Sequence, residues 1–474
     1  MTRLPELTPG RGAVDFIDDA ALRDLLSTGI ADAAQVREVL AKSLELAPLT
    51  VAETAVLLRA GDAELVEEIH ETARALKRRV YGDRIVLFAP LYVGNDCVND
   101  CAYCGFRRSN PDIVRRTLDD GEVRAQVLAL EAAGHKRLVV VFGEHPRYDA
   151  DAIAATVREV YATRSGTGEI RRVNVNAAPL DDAGYRTVTD AGIGTYQIFH
   201  ETYDHAAYAR MHPRGTRKAD YLWRLDGPGR AIDAGCDDVG LGVLFGLADW
   251  RFDTLGLVAH ARHLQERHGV GPHTLSFPRL RPAQGVDFGG MHPVGDAELM
   301  RVIAVLRVAV PYTGLILTAR ETAAVRRAAL DFGVSQIDGG SRLELGGYTE
   351  APTAQAIERE QFTLGDTRPL DDVARELLET GHLPSFCTAC YRMGRTGEVF
   401  MEYAIPGFIE KFCSPNALTS LMEYLVDHAA PATRAAGLAR VEQELAKLDD
   451  GPRKIELVER LRRIREDGVR DLYN

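Results

Sequence analysis

The run RIVLFAPLYV, Arg84 to Val93, is followed after three residues by CVNDCAYC, Cys97 to Cys104. The run is apolar almost throughout, where a half-buried strand would alternate with polar residues. A strand of that kind is buried on both faces, as in a parallel sheet covered by helices. Seven more follow: KRLVVVFGE (136–144), IRRVNVNAA (170–178), GTYQIFHETY (194–203), DVGLGVLFG (238–246), HTLSFPRLR (273–281), GLILTARE (314–321) and VSQIDGG (334–340). Helical segments such as GEVRAQVLALEAAG and DAELMRVIAVLRVAV separate them. Eight strands alternating with helices predict an α/β chain built on a closed (β/α)8 TIM-type barrel, for which a span of about 250 residues is usual. An open doubly wound sheet is the rival, but no G-x-G-x-x-G follows the first strand.

Upstream, residues 1–83 predict an N-terminal helical extension. Apolar residues recur there at three- and four-residue spacing, with Thr50 and Asp62 as candidate N-caps. The barrel is assigned to residues 84–345. Beyond about Gly346 no further strand is expected, and residues 346–474 predict a helical C-terminal domain. The 474 residues carry 46% apolar and 27% charged side chains, the balance of a globular protein. A net charge of −12 argues against a nucleic-acid partner. No membrane span or signal peptide is recognisable, which predicts a cytoplasmic location and small-molecule partners.

Seven cysteines fall into two triplets and one single: Cys97, Cys101, Cys104; Cys236; Cys387, Cys390, Cys413. An odd, clustered count in a long chain reads as metal sites rather than as a disulfide framework. Cys236 reads as a small buried residue without chemistry. The first triplet, Cys-x3-Cys-x2-Cys, follows the first strand, at the barrel face where catalytic residues collect. Three thiolates hold three irons of a [4Fe–4S] cluster and leave the fourth iron open to a ligand. Zinc is the alternative, but it takes four ligands, and no His lies near this loop. The second triplet, Cys-x2-Cys-x22-Cys, reads as a second cluster, a zinc site completed by a distant His, or buried thiols.

The first triplet's spacing resembles that of the radical S-adenosylmethionine (SAM) superfamily. That resemblance implies SAM on the open iron, an electron donor such as flavodoxin or ferredoxin, and a 5′-deoxyadenosyl radical. It places Tyr103 beside the adenine and Gly143-Glu144 at the SAM amino group. The stretches YGDRIVLFAPLY, DAGIGTYQIFHETY, DDVGLGVLFGL, SQIDGGS and FCTACYRMGRTGE are similar to the tyrosine lyases of [FeFe]-hydrogenase maturation. Related 2-iminoacetate synthases and tryptophan lyases lack the second triplet. The resemblance implies cleavage of the L-tyrosine Cα–Cβ bond to p-cresol and dehydroglycine. It further implies conversion of dehydroglycine to carbon monoxide and cyanide, and an iron–carbonyl–cyanide unit formed at the second cluster for hydrogenase maturation proteins. His273, at the start of the sixth strand, matches the ligand of an additional iron in that family.

The remaining candidates come from strand ends. Arg320 suits a substrate carboxylate, since a guanidinium grips one bidentately; its alternative is an ion pair with Glu321. Asn174, Asn176, Glu201, Tyr203 and Arg279 line the SAM or substrate pocket, or hydrogen-bond within the barrel. Gly94, Asp96, Val141, His200 and Ala319 depart from the family's usual residues. Their expected place at the substrate end leaves open a related lyase acting on another amino acid in natural-product biosynthesis. A non-catalytic iron–sulfur carrier is the reading from another class.

Overall fold

The structure is a computed structural model that describes residues 4, 6–350 and 354–473. Eight parallel strands form the barrel: β1 (Arg84–Gly94), β2 (Arg137–Phe142), β3 (Arg172–Asn176), β4 (Thr195–Glu201), β5 (Asp238–Val243), β6 (Thr274–Ser276), β7 (Gly314–Leu317) and β8 (Gln336–Asp338). Each pairs with the next, and β8 pairs back to β1 through Val86, Leu87 and Phe88, which closes the ring. Every β5, β6, β7 and β8 residue is buried, as the continuous apolar runs require.

Correcting the sequence expectation, a strand does follow Gly346. β9 (Leu383–Ser385) lies parallel to the first three residues of β1. β1 is long enough for this because its eleven residues pair with β9 and then β2 along one edge. Leu-Pro-Ser is too short to stand out as a strand from its pattern alone, and a Pro within a run argues against one.

The N-terminal helices pack outside the barrel. Thr50 caps Val51–Leu58 through a reciprocal capping box with Glu53, and Asp62 caps Ala63–Tyr81. Ala63–Tyr81 seals against the barrel helix Asp296–Ala309, and the Tyr81 hydroxyl donates to the Tyr312 carbonyl at 2.6 Å. The C-terminal helix Ile409–Asp427 carries Cys413 and runs under the barrel's lower end. There its buried Glu423 pairs with Arg171 at 2.7 Å and with Lys136 at 3.5 Å. Among the described residues no helix is long and apolar enough to cross a membrane.

Candidate active site

At the upper end of the barrel, where the strands finish, a cavity of about 220 Å³ opens. Its floor is the apolar set Phe88, Val139 and Ile316. Cys97, Cys101 and Cys104 all line it, together with Tyr103, Gly143, Glu144, Asn176, Glu201 and Arg320. These residues come from the ends of β3 and β4 and the loops after β1, β2 and β7, so the barrel closure brings them together.

The Cys loop is held from both sides. Val98 N–H donates to the Glu144 carbonyl at 2.7 Å, and Gly143 N–H donates to the Gly94 carbonyl at 2.9 Å. Asn99 donates to Glu144 Oε2 at 2.7 Å, while Arg217 donates to Glu144 Oε1 at 2.8 Å. Burial pushes the Cys101 thiol up to about 12; the Lys218 cation opposes the rise, and the neighbouring Cys104 and Cys97 add to it. Burial raises Cys97 as well. Protein surroundings alone therefore do not stabilise the Cys97 and Cys101 thiolates, and a cationic metal centre would. Three soft thiols lining one cavity fit an iron–sulfur cluster with one open iron.

Arg320 stacks over the Phe362 ring at 3.2 Å and is half-buried. Burial lowers its pKa to about 10. Glu321, the expected alternative partner, is taken by Arg279 (2.6 Å) and Arg281 (2.5 Å). Among the described residues Arg320 makes no ion pair, so it is a cation facing the cavity without a carboxylate of its own. Glu201 pairs with Lys218 at 2.5 Å and holds a φ of +80°, a left-handed conformation that costs energy for a residue with a Cβ.

Three expected pocket residues lie elsewhere. Asn174 points to the barrel's lower end, where its amide oxygen accepts from Arg172 Nε at 3.2 Å and from Thr195 N at 3.1 Å. It shares a face with Asn176, but a strand rises about 3.3 Å per residue, so two residues separate the layers. Tyr203 faces outward and hydrogen-bonds His260 Nδ1 at 2.9 Å through its hydroxyl. Arg279 is locked between Glu321 and Asp296. Of the five family departures, Gly94 and Val141 line the cavity. His200 packs outside among Tyr203, Tyr208 and Tyr221, because strand alternation turns it away from Phe199 and Glu201. Asp96 pairs with Arg147 at 3.1 Å, and the Ala319 N–H donates to Asp338 at 2.6 Å. Neither is among the cavity residues.

The second triplet lies at the opposite, lower end. Cys387, Cys390 and Cys413 gather there, near enough for each to feel the others' charge. Cys387 holds a φ of +47°, again a strained conformation at a reactive residue. Its hydrogen bond to Cys390, together with burial, lifts its thiol to about 12. Three buried guanidiniums start β1, β2 and β3 here: Arg84, Arg137 and Arg172. All three feel the thiols' charge, and Arg172 stacks on the Tyr391 ring at 3.4 Å. Burial lowers Arg172 to about 9. The nearby carboxylate Asp238 is itself raised to about 6 by burial. His273 sits beside it, Nδ1 to Oδ1 at 3.5 Å, against the Phe400 ring. Buried cations in excess favour an anionic occupant, and a cluster held by three thiolates carries that charge. Cys236 is buried, with its sulfur 2.9 Å from the Thr189 hydroxyl.

Lys218, Gln361 and the three lower arginines carry no sequence motif that would have found them. Arg84, Arg137 and Arg172 share one detectable signal, a charged residue opening an otherwise apolar run.

Comparison with known proteins agrees with this geometry. The radical SAM superfamily model matches residues 91–255, and the Biotin and Thiamin Synthesis associated domain matches residues 276–383. A crystal structure of HydG, a maturase of the [FeFe]-hydrogenase, superposes with a TM-score of 0.93 at 44% identity, covering 97% of this chain and all of that one. The chain belongs to the HydG-type radical SAM family. HydG from Carboxydothermus hydrogenoformans matches at 36% identity and a TM-score of 0.78, over 90% of this chain and 94% of that one. The 2-iminoacetate synthase of Escherichia coli is 32% identical over 72% of this chain and 88% of its own length. The chain is accordingly a radical SAM enzyme, and its family carries a [4Fe–4S] cluster and SAM.

Proposed function

We propose that the protein cleaves the Cα–Cβ bond of L-tyrosine, giving p-cresol and dehydroglycine, and converts dehydroglycine to carbon monoxide and cyanide. A second [4Fe–4S] cluster at Cys387, Cys390 and Cys413, with an additional iron as cargo near His273, would release an iron–carbonyl–cyanide unit for [FeFe]-hydrogenase assembly. The observation that carries the reading is Arg320, a half-buried cation without an ion-pair partner among the described residues, over an apolar floor that suits an aromatic side chain.

When bound, the first cluster and SAM supply the radical that abstracts hydrogen from the substrate amino group. The chain supplies the rest. Arg320 holds the substrate carboxylate, and Phe362 keeps its guanidinium flat beneath the ligand. Tyr103, Glu144 and Asn176 hold SAM. Glu201 and Lys218, paired across the cavity wall, place charge beside the reacting end. The barrel walls shield a reactive species from bystander groups. An external one-electron donor of flavodoxin or ferredoxin type reduces the first cluster.

Val141 favours a second reading. It lines the cavity where the tyrosine-cleaving family carries an acid, so another amino acid would fit a pocket that lost a carboxylate. The test is incubation of the reduced, reconstituted enzyme with SAM and each aromatic amino acid. p-Cresol from tyrosine is expected; its absence beside a product from another amino acid overturns the first reading in favour of the second.

A further inference from the structure

The segment 354–366 crosses the mouth of the barrel as a strap. Glu358 accepts from Val114 N–H at 2.9 Å, Thr363 N–H donates to the Pro282 carbonyl at 2.9 Å, and Gly365 N–H donates to the Ala319 carbonyl at 2.8 Å. Backbone contacts thus tie it to three separate loops of the upper face. It comes close to the Cys loop at Gly105, where an added Cβ would stand 2.8 Å from the Gln361 carbonyl oxygen. Glycine is therefore needed there for the strap to sit down on the cysteines.

At that point Gln361 reaches into the cavity. Its Nε2 donates to Cys104 Sγ at 3.6 Å, and its Oε1 accepts from the Tyr92 hydroxyl at 3.0 Å. The amide oxygen lies toward the Tyr92 hydroxyl and the NH₂ end faces the sulfur. Tyr92 is buried on β1, so this bond ties the amide to a rigid element.

We propose that Gln361 is a positioning residue for the first cluster, whose amide donates an N–H···S bond to Cys104 and raises the cluster's reduction potential. This rests on Cys97, Cys101 and Cys104 holding a [4Fe–4S] cluster. The reduced cluster is one charge more negative than the oxidised one, so the partial positive charge of an N–H stabilises it more. Hydrogen bonds to cluster sulfurs act on potential in this way. The strap thereby makes the ease of electron uptake depend on residues about 250 positions away in the chain, at the far side of the barrel sequence.

The test uses the full chain with Cys387→Ala and Cys390→Ala, so that only the first cluster titrates. Iron and sulfide are counted, and the potential is read by EPR-monitored titration without SAM. Gln361→Leu removes the donor, Gln361→Glu puts an acceptor in its place, and Tyr92→Phe only frees the amide to turn. Each is expected to make the potential more negative, Tyr92→Phe least and Gln361→Glu most. For Gln361→Leu the reduced-to-oxidised ratio at fixed poise should fall by up to about tenfold, about 59 mV for one electron. If Gln361→Leu loses its cluster, Gln361→Glu, nearly identical in shape, decides. A wild-type potential in a variant with a full iron count overturns the proposal. So does lower iron content with an unmoved potential in the clusters that remain, the mark of a purely structural role. Failure of the parent to hold iron and sulfide at all overturns the cluster reading and this proposal with it.

Discussion

Gly143→Ala tests how tightly the upper site is built. An alanine Cβ there would stand 2.2 Å from the Asp96 carbonyl oxygen and 3.5 Å from Cys97 Cβ. Ordinary contact begins at 3.4 Å, so 3.4 − 2.2 = 1.2 Å must be regained. The blocking atom is backbone, and it cannot swing aside as a side chain would. The loop is also pinned, because Gly143 N–H is bonded to Gly94 and Val98 N–H to Glu144. Overpacking of this kind costs about 1–3 kcal/mol, which a domain of this size tolerates without unfolding. The damage falls on geometry instead. A displacement of about 1 Å at a reacting centre lowers rate on the order of 100-fold. The assay is 5′-deoxyadenosine formation under strong reductant, with iron and sulfide counts and circular dichroism as controls. The expected result is a folded protein whose SAM cleavage falls about 100-fold or whose first cluster is lost. A fully loaded Gly143→Ala enzyme with the parent's rate would refute the claim that the loop sits hard against this position.

Replacing Arg320 by Met should raise the substrate KM by about 10- to 150-fold, the equivalent of about 1.5–3 kcal/mol for a charged hydrogen-bonded contact. SAM cleavage without substrate, followed as 5′-deoxyadenosine, should change little. The double replacement Cys387→Ala and Cys390→Ala should abolish carbon monoxide and cyanide release while p-cresol still forms from tyrosine. Loss of p-cresol as well would join the two sites into one functional unit. His205 bridges Asp19 at 2.7 Å and Asp15 at 2.8 Å. Partial burial lowers its pKa, but the hydrogen bonds to Asp19 and Asp15 outweigh this and raise it. A raised folded-state pKa stabilises below the unfolded value of about 6.5 and is lost as pH rises through the folded value. Denaturant unfolding should therefore show up to about 1 kcal/mol less stability at high than at low pH across that window, and none of that difference in His205→Gln.

All eight barrel strands were legible because burial on both faces leaves a continuous apolar signature. Helix starts at Thr50 and Asp62 were legible because capping is chemistry within four residues. The Leu383–Ser385 strand was not, since three residues with a central Pro carry no periodicity. Polar residues at the strand ends could be named from the sequence as pocket candidates but not sorted by direction. Asn174 and Asn176 lie two residues apart on the same face of β3, yet one serves the lower end and the other the cavity. Likewise His200 and Glu201 are neighbours that alternation sends to opposite sides of the wall.

What the sequence by itself determined is the repeating βα unit, the two cysteine triplets and the family they resemble, all set by local spacing. That one triplet lies above the barrel and the other below it was decided by the tertiary structure. So were the gathering of Arg84, Arg137 and Arg172 beneath the strands, the lone Arg320 over the cavity, and Gln361 on the sulfur of Cys104. The reason is that closing a parallel barrel fixes strand register and stagger together. Only then does each side chain acquire a height and a side, and residues hundreds of positions apart become neighbours.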